Sequence, residues 1–441
     1  ENIYAKITGD IVELSLPPEL EEISSTRIRE NVDLNRDISN LIDPIAQNYI
    51  YQKSLYLREP QNKPIMKARE LHCEIVTNPS EELLEELDSS VLTGIRFHRE
   101  VMQVLHERDL TYVILRDGKH ENRPLAFSAH KPLLISDLLA EFKDVELTNE
   151  IRSRAQGKIM LLRCGYVTNS HEYTGLRQML LTETMAHCLS EEYTYCLYHG
   201  QYAMEEYRNS IEEILKRQGF LPLKTDRENE LVMAVDMHDP DIVTKNLSTV
   251  LKEPFDTNAH VLRVIEHAHH QFQTALTRFR PGNLVLSFDA SVIHQRLVEK
   301  ITTENHVPNY TAVPRQLGEL MCVPFGKMLR NAVAPNTVTK VLHTERVFRS
   351  DMGGFTIEEY PDYSPLRSQI RMIRSFNRPV ILVDDLLHKG YRYKCIDPLL
   401  KEESVQVDEL LMGILSARGK DLAATMGRKV DSVYFLPRIH S

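Results

Sequence analysis

The chain has 441 residues, with 53 lysines and arginines against 63 aspartates and glutamates, a formal charge of −10. That balance argues against unspecific binding to nucleic acid or acidic membranes, which recruit basic proteins. The 42% hydrophobic and 26% charged fractions are those of a globular protein of roughly two or three domains, and no apolar run approaches the ~20 residues of a membrane span.

The first punctuated segment is Ile23 to Arg29, ISSTRIR. Ser24, Ser25 or Thr26 would cap the helix that follows. Hydroxyls and free N–H groups at a helix start also attract anions, and Arg29, three residues after Thr26, reaches the same side. Leu41-Ile42-Asp43-Pro44, then Ile45, Tyr49, Ile50, Leu55 and Tyr56, continue in a helical pattern up to the polar, proline-bearing residues 58–64.

The second region alternates strand and helix. Strands are expected at Glu74–Thr77, 111–116 and 124–129, Lys158–Val167, Thr194–Tyr198 and Leu231–Val235. Helices are expected at Ser80–Leu87, Gly175–Leu189 and Tyr207–Gln218, the last ending at Gly219-Phe220. Tyr198, Tyr202 and Tyr207 cluster where either aromatic packing or a general acid would place them. Six cysteines lie scattered without a CxxC pair, which predicts reduced thiols in a cytoplasmic protein.

The third region opens with a long helix, Ala259–Arg280, in which His267 and His270 share a face without a further ligand at metal spacing. A strand at Asn283–Phe288, a helix after Asp289-Ala290-Ser291, a strand at Met321–Pro324, a loop-like stretch at 349–368 and a strand from Leu411 follow. The sharpest signal is Pro379 to Gly390, PVILVDDLLHKG. Four apolar residues between a proline and Asp384-Asp385 predict a buried parallel strand that ends at the acids. Ligands of open α/β sheets sit at such carboxyl ends, and paired carboxylates suit two ribose hydroxyls, directly or through Mg²⁺.

Each region also resembles a transferase family. ISSTRIR followed by LIDPIAQNYIYQKSLY resembles the C-terminal end of nicotinate/nicotinamide-nucleotide adenylyltransferases, which are HxGH nucleotidyltransferases. That resemblance implies that Ser24, Ser25, Thr26 and Arg29 hold nucleotide phosphates, and that the chain begins inside such a domain. The strand order of the second region, with Gly175 in EYTGLR and Asn209 ahead of Gly219-Phe220, resembles the GNAT acetyltransferases. The resemblance implies that Gly175, Arg177 and Asn209 hold acetyl-CoA or another acyl-CoA. Glu172 and Arg177 depart from the family's Q/R-x-x-G-x-G/A loop. The PVILVDDLLHKG stretch resembles the PRPP signature of type I phosphoribosyltransferases. That implies a catalytic, Mg²⁺-binding pair in Asp384 and Asp385, and a 5′-phosphate site in Lys389, Gly390 and Arg392. It also implies pyrophosphate contacts from Ser287, Ser291, Lys340 and Arg346, the last two on a hood over 340–376. The family's hydroxyl residues after the acids are replaced by His388, Lys389 and Tyr391.

The expectation is therefore an α/β, multidomain chain. Residues 1–62 form a helical nucleotidyltransferase tail, 63–240 a GNAT-like α+β sheet, and 241–441 a Rossmann-like parallel-sheet phosphoribosyltransferase domain. Its function would be a multidomain transferase acting on nucleotides or PRPP, without nucleic-acid or membrane partners and compatible with an oligomer. The rival is a non-catalytic sensor or scaffold that keeps degenerate transferase domains.

Overall fold

The computed structural model describes residues 23–33, 38, 41–53, 55, 71–93, 98–118, 122–168, 175–200, 205–226, 230–245, 251, 255, 258–310, 316–326, 329, 332–351, 353–361 and 363–440. In chain order the elements are α1 (Ser25–Asp33), α2 (Pro44–Gln52), β1 (Leu71–Thr77), α3 (Glu81–Val91), α4 (His98–Leu105), β2 (Thr111–Asp117) and β3 (Arg123–Leu133). Then come α5 (Leu138–Phe142), α6 (Val145–Arg154), β4 (Lys158–Val167), α7 (Leu176–Ser190), β5 (Tyr193–Gly200), α8 (Glu205–Arg217), β6 (Leu221–Pro222) and β7 (Leu231–Lys245). They are followed by α9 (Ala259–Phe279), β8 (Asn283–Asp289), α10 (Ala290–Glu304), β9 (Met321–Pro324), β10 (Val338–Thr339), β11 (Thr344–Phe348) and β12 (Phe355–Glu359). The last are α11 (Leu366–Ser375), β13 (Val380–Leu387), α12 (Tyr391–Glu402), β14 (Val407–Leu415), α13 (Ala417–Thr425) and β15 (Val430–Phe435).

The chain divides into two compact units, the larger made of residues 64–339, 379–391 and 407–441. Its first sheet is mixed, in the order β1-β2-β3-β4-β5-β7-β6 with β8 added on β7. Only the β4–β5 and β7–β8 pairs in it are parallel. The second sheet, β10-β9-β13-β14-β15, is parallel throughout, as its apolar strands predict. Caps fix where the helices start. Ser80 Oγ accepts from Leu83 N–H, Asp144 from Leu147 N–H, and Ser416 from Gly419 N–H. One apolar core runs through both sheets, joining Met160, Met185 and Met233 to Leu286, Ile293, Val383 and Leu411. A buried polar contact crosses the same boundary. Glu183 of α7 accepts from Arg296 of α10 and from Tyr434 of β15, both at 2.6 Å.

The smaller unit comprises residues 1–63, 340–378 and 392–406. Val32, Ile38, Ile50 and Met372 form its core among the described residues. Arg367 and Arg371 converge on the buried Glu403. Gln369 accepts from His343 N–H and donates to the Ser364 carbonyl.

Three of the differences from the sequence expectation concern strand pairing. Residues 355–359, read as loop, form β12 and pair antiparallel with β11. β7 continues past Val235 to Lys245, where its polar end takes up β8 as a neighbour. β13 does not stop at the acids, because β14 keeps pairing with it through Leu387↔Leu415. Among the described residues no helix is long and apolar enough to cross a membrane.

Candidate functional site

The larger unit opens a gap between two strands that begin as partners. β4 and β5 pair in parallel from Lys158↔Tyr193 to Leu162↔Tyr198 and then separate. Beyond that point β4 stays with β3 as far as Ala126↔Val167, and β5 stays with β7. The separation starts at a β-bulge. Ala129 and His130 of β3 face Cys164 and Leu162, leaving Arg163 as an additional residue in β4.

The residues on either side of Arg163 point one way. Leu162, Cys164 and Gly165 line an apolar slot with Leu180, Leu181 and Ile214. Arg177 stands at its rim, and burial pushes the Cys164 thiol up to about 12, so it is an inert apolar wall. Helix α7, which forms one side of the slot, starts at Gly175 with φ +78 and has no side-chain cap among the described residues. Its first N–H groups are the kind that bind an anion. Glu172 and the rest of 169–174 lie outside the described residues, as do Tyr202 and the side chains of Tyr207 and Asn209. Tyr198 is buried, which raises its hydroxyl well above the usual phenol range.

Arg163 points to the opposite face and enters a charged cluster. It binds Glu107 and donates to Glu141 Oε1 at 2.6 Å. Glu141 also meets His199 Nδ1 of β5 at 2.9 Å, so one carboxylate spans the diverging strands. The other ring nitrogen of His199 lies 3.3 Å from Glu230 Oε2. Lys131 Nζ closes the group on Glu107 at 2.6 Å. Burial opposes ionisation of Glu141, but the His199 hydrogen bond and the Arg163 and Lys131 charges outweigh it and hold the carboxyl below its ordinary value. Nothing local in the sequence marked this cluster, because its members come from a turn, α5, β3, β4, β5 and the residue just before β7.

A second arrangement surrounds the acidic pair. β9 ends opposite Val383, and Phe325 N–H donates to the Val383 carbonyl at 3.0 Å. The next residue, Gly326, backs onto the acids: a Cβ there would lie 1.6 Å from Asp384 Oδ1 and 2.9 Å from Asp385 Oδ1. Asp384 is buried and accepts from the Asp385 N–H at 2.8 Å. Nearby His294 of α10 is buried, and burial lowers its proton affinity against the opposing charges of Asp385 and Asp289. The stretch after the strand closes on α13 instead of forming an open nest. His388 Nδ1 meets Ser416 Oγ at 2.8 Å, and a Cβ on Gly390 would strike Leu422 at 2.2 Å. Lys389 is half-buried in this turn. Among the described residues no group of three or more His, Cys, Asp or Glu could hold a metal ion.

The remaining sequence candidates are used elsewhere. Ser287 Oγ meets His269 at 2.8 Å and its carbonyl accepts from Thr182, which places it within the mixed sheet. Ser291 donates to the capping Asp289. Lys340, Arg346 and Arg392 belong to the smaller unit. There Lys340 is buried and donates to the Val32 carbonyl at 3.2 Å, while Arg346 is exposed and lies 4.3 Å over the Phe355 ring. Ser24 Oγ accepts from Arg27 N–H at 3.1 Å and so serves as a cap, with Ser25, Thr26 and Arg29 exposed on the first turns of α1.

No protein-family model matches the sequence, and no curated protein matches it either. Solved structures align with part of it. A protein of the GNAT family from Desulfovibrio desulfuricans is 11% identical and covers 38% of this chain and 98% of its own, with a TM-score of 0.27. Arabidopsis thaliana NAA60 in complex with acetyl-CoA is 14% identical over 38% of this chain and 98% of its own, at 0.27. The NatC complex bound to Gag peptide and CoA is 11% identical over 38% of this chain and 99% of that one, at 0.26.

Proposed function

We propose that the larger unit binds an acyl-CoA in the gap between β4 and β5 and transfers its acyl group to an amine. The observation that carries this reading is the parting of the two strands at the Arg163 bulge. It leaves an apolar slot on one face and a carboxylate–imidazole cluster on the other. A thin pantetheine-like arm suits the slot, and the uncapped start of α7 and Arg177 suit a pyrophosphate. The acceptor nitrogen attacks the thioester carbonyl, the C–S bond breaks and the departing thiolate takes a proton from water. The proton lost by the amine passes to the Glu230 carboxylate, which His199 holds in place.

Isothermal titration with acetyl-CoA tests the slot. Gly165 lines the slot and has room for a Cβ, 3.8 Å from Leu180, so Gly165→Phe directs a ring into the cavity. Binding is expected to fall at least about 100-fold, or roughly 2.7 kcal/mol. His199→Gln is expected to leave acetyl-CoA affinity within about twofold and to lower turnover on an amine library by about 100-fold. Unchanged binding in Gly165→Phe removes the proposal. Binding without turnover for any amine favours a sensor over an enzyme.

A second reading concerns the acidic pair, favoured by the wholly parallel sheet that carries it and by Gly326 behind it. Asp384 and Asp385 would hold the ribose hydroxyls of a PRPP-like sugar phosphate, with Mg²⁺ completed by those hydroxyls and water. Titration of PRPP with Mg²⁺ into the chain and into Asp385→Asn decides it. At least about a tenfold loss is expected, and equal heats in the two proteins end this reading. The nucleotide-phosphate reading of Ser24, Ser25, Thr26 and Arg29 is tested the same way, with ATP against Arg29→Ala.

A further inference from the structure

A second cleft of the larger unit lies where one face of α10 meets β14, β15 and the first residues of β1. Its volume is about 610 Å³, in the usual range for small-molecule sites. Most of its charges are matched within the protein. Lys300 pairs with Asp431, and Lys429 lies 2.9 Å from Glu304 and 3.4 Å from Glu409. Two groups keep open hydrogen-bonding capacity. Arg296 and Glu299 lie three residues apart on the face of α10 that lines the cleft, yet they do not pair with each other. Arg296 donates to Glu183 on its inner side and is backed by the Tyr434 ring, 4.9 Å from its Cζ to the centroid. Most of its five N–H groups are left to the cleft. The Glu299 carboxylate has no hydrogen-bond or ion partner among the described residues.

A cation and an anion one helical turn apart suit a ligand with opposite charges on neighbouring atoms. The Arg296 fork takes a carboxylate, and the Glu299 carboxylate takes an ammonium group. Leu411, Val430 and Val433 add an apolar wall to the same cleft. A polyanion such as a nucleotide would meet Glu304, Glu409 and Asp431, and a polyamine would meet the two lysines. We infer that this cleft binds a free α-amino acid with an apolar side chain. The inference shares no residue with the acyl-CoA slot and does not depend on that reading.

The test is isothermal titration of L-leucine into the whole chain, beside leucinamide, which lacks the carboxylate, and N-acetylleucine, which lacks the ammonium group. Leucine is expected to bind in the micromolar to low millimolar range, and each analogue at least about tenfold more weakly. Glu299→Gln should weaken leucine at least about tenfold and remove its preference over N-acetylleucine. Thr303 is exposed on the same helix face, so Thr303→Trp should obstruct the cleft, weaken leucine at least about tenfold and keep the thermal midpoint of the parent. No leucine binding up to about 10 mM overturns the inference, and so does an amide or acetylated form that binds as well as leucine. It also fails if Glu299→Gln or Thr303→Trp binds leucine as the parent does. Loss of leucine binding in Gly165→Phe would put the amino acid in the acyl-CoA slot and overturn the inference as well.

Discussion

Gly219→Ala is expected to cost the larger unit roughly 3–5 kcal/mol, and Gly175→Ala about 1–2 kcal/mol. Both glycines have positive φ, +94 and +78, so both substitutions carry the left-handed penalty of a side chain. They differ in what the new methyl meets. At Gly175 no described residue lies within 4 Å, whereas at Gly219 the Cβ would stand 1.9 Å from the main-chain oxygen of Asn283. A main-chain oxygen cannot rotate away as a side chain can. Asn283 opens β8, so the clash pushes on the strand that extends the mixed sheet. Urea midpoints of the two variants in the full chain measure the contrast. Equal shifts would show that β8 gives way freely at that corner.

Acid is expected to destabilise the fold through His130 well before most carboxylates protonate. The side chain is 2% exposed, its Nδ1 has no hydrogen-bond partner, and its ring lies 5.6 Å from His187. Burial and the neighbouring His187 push His130 down to about 3. The unfolded chain binds this proton near 6.5, while the folded chain refuses it until about 3. Stability is therefore complete above the upper value and falls as pH drops through that window. The loss from this one side chain is about 1.4 kcal/mol per pH unit. His187, lowered chiefly by its own burial, adds in the same direction. His130→Leu should flatten the stability–pH slope between pH 6 and 4 by about one proton's worth. An unchanged slope would mean that His130 reaches solvent without unfolding.

Strands of the interior were legible wherever the apolar run coincided with the paired run. Lys158–Val167 and Met321–Pro324 have the bounds their residues suggest. The reading ran short where polar residues keep pairing, as in the His238–Lys245 end of β7 and the acids of β13, because a hydrogen-bonding neighbour cannot be seen along one strand. Asn283–Phe288 read correctly as a strand, yet seven residues do not say which sheet edge they join. The helices Leu138–Phe142 and Val145–Arg154 carried no expectation, and the first of them supplies Glu141. Candidates read from contiguous motifs, such as Ser24 to Arg29, were easy to name. The Arg163 cluster was not, because it exists only once six separate segments have met.

The shared core has a practical consequence for anyone who expresses pieces of this chain. Cutting after residue 240 would strip β8 from β7 and remove the groups that Glu183 holds, leaving Met185 and Met233 facing water. Fragments chosen by motif would emerge with sticky, half-clothed interiors. A cut that respects the architecture has to keep β14 and β15 with the mixed sheet, although more than half the chain separates them from its first strand.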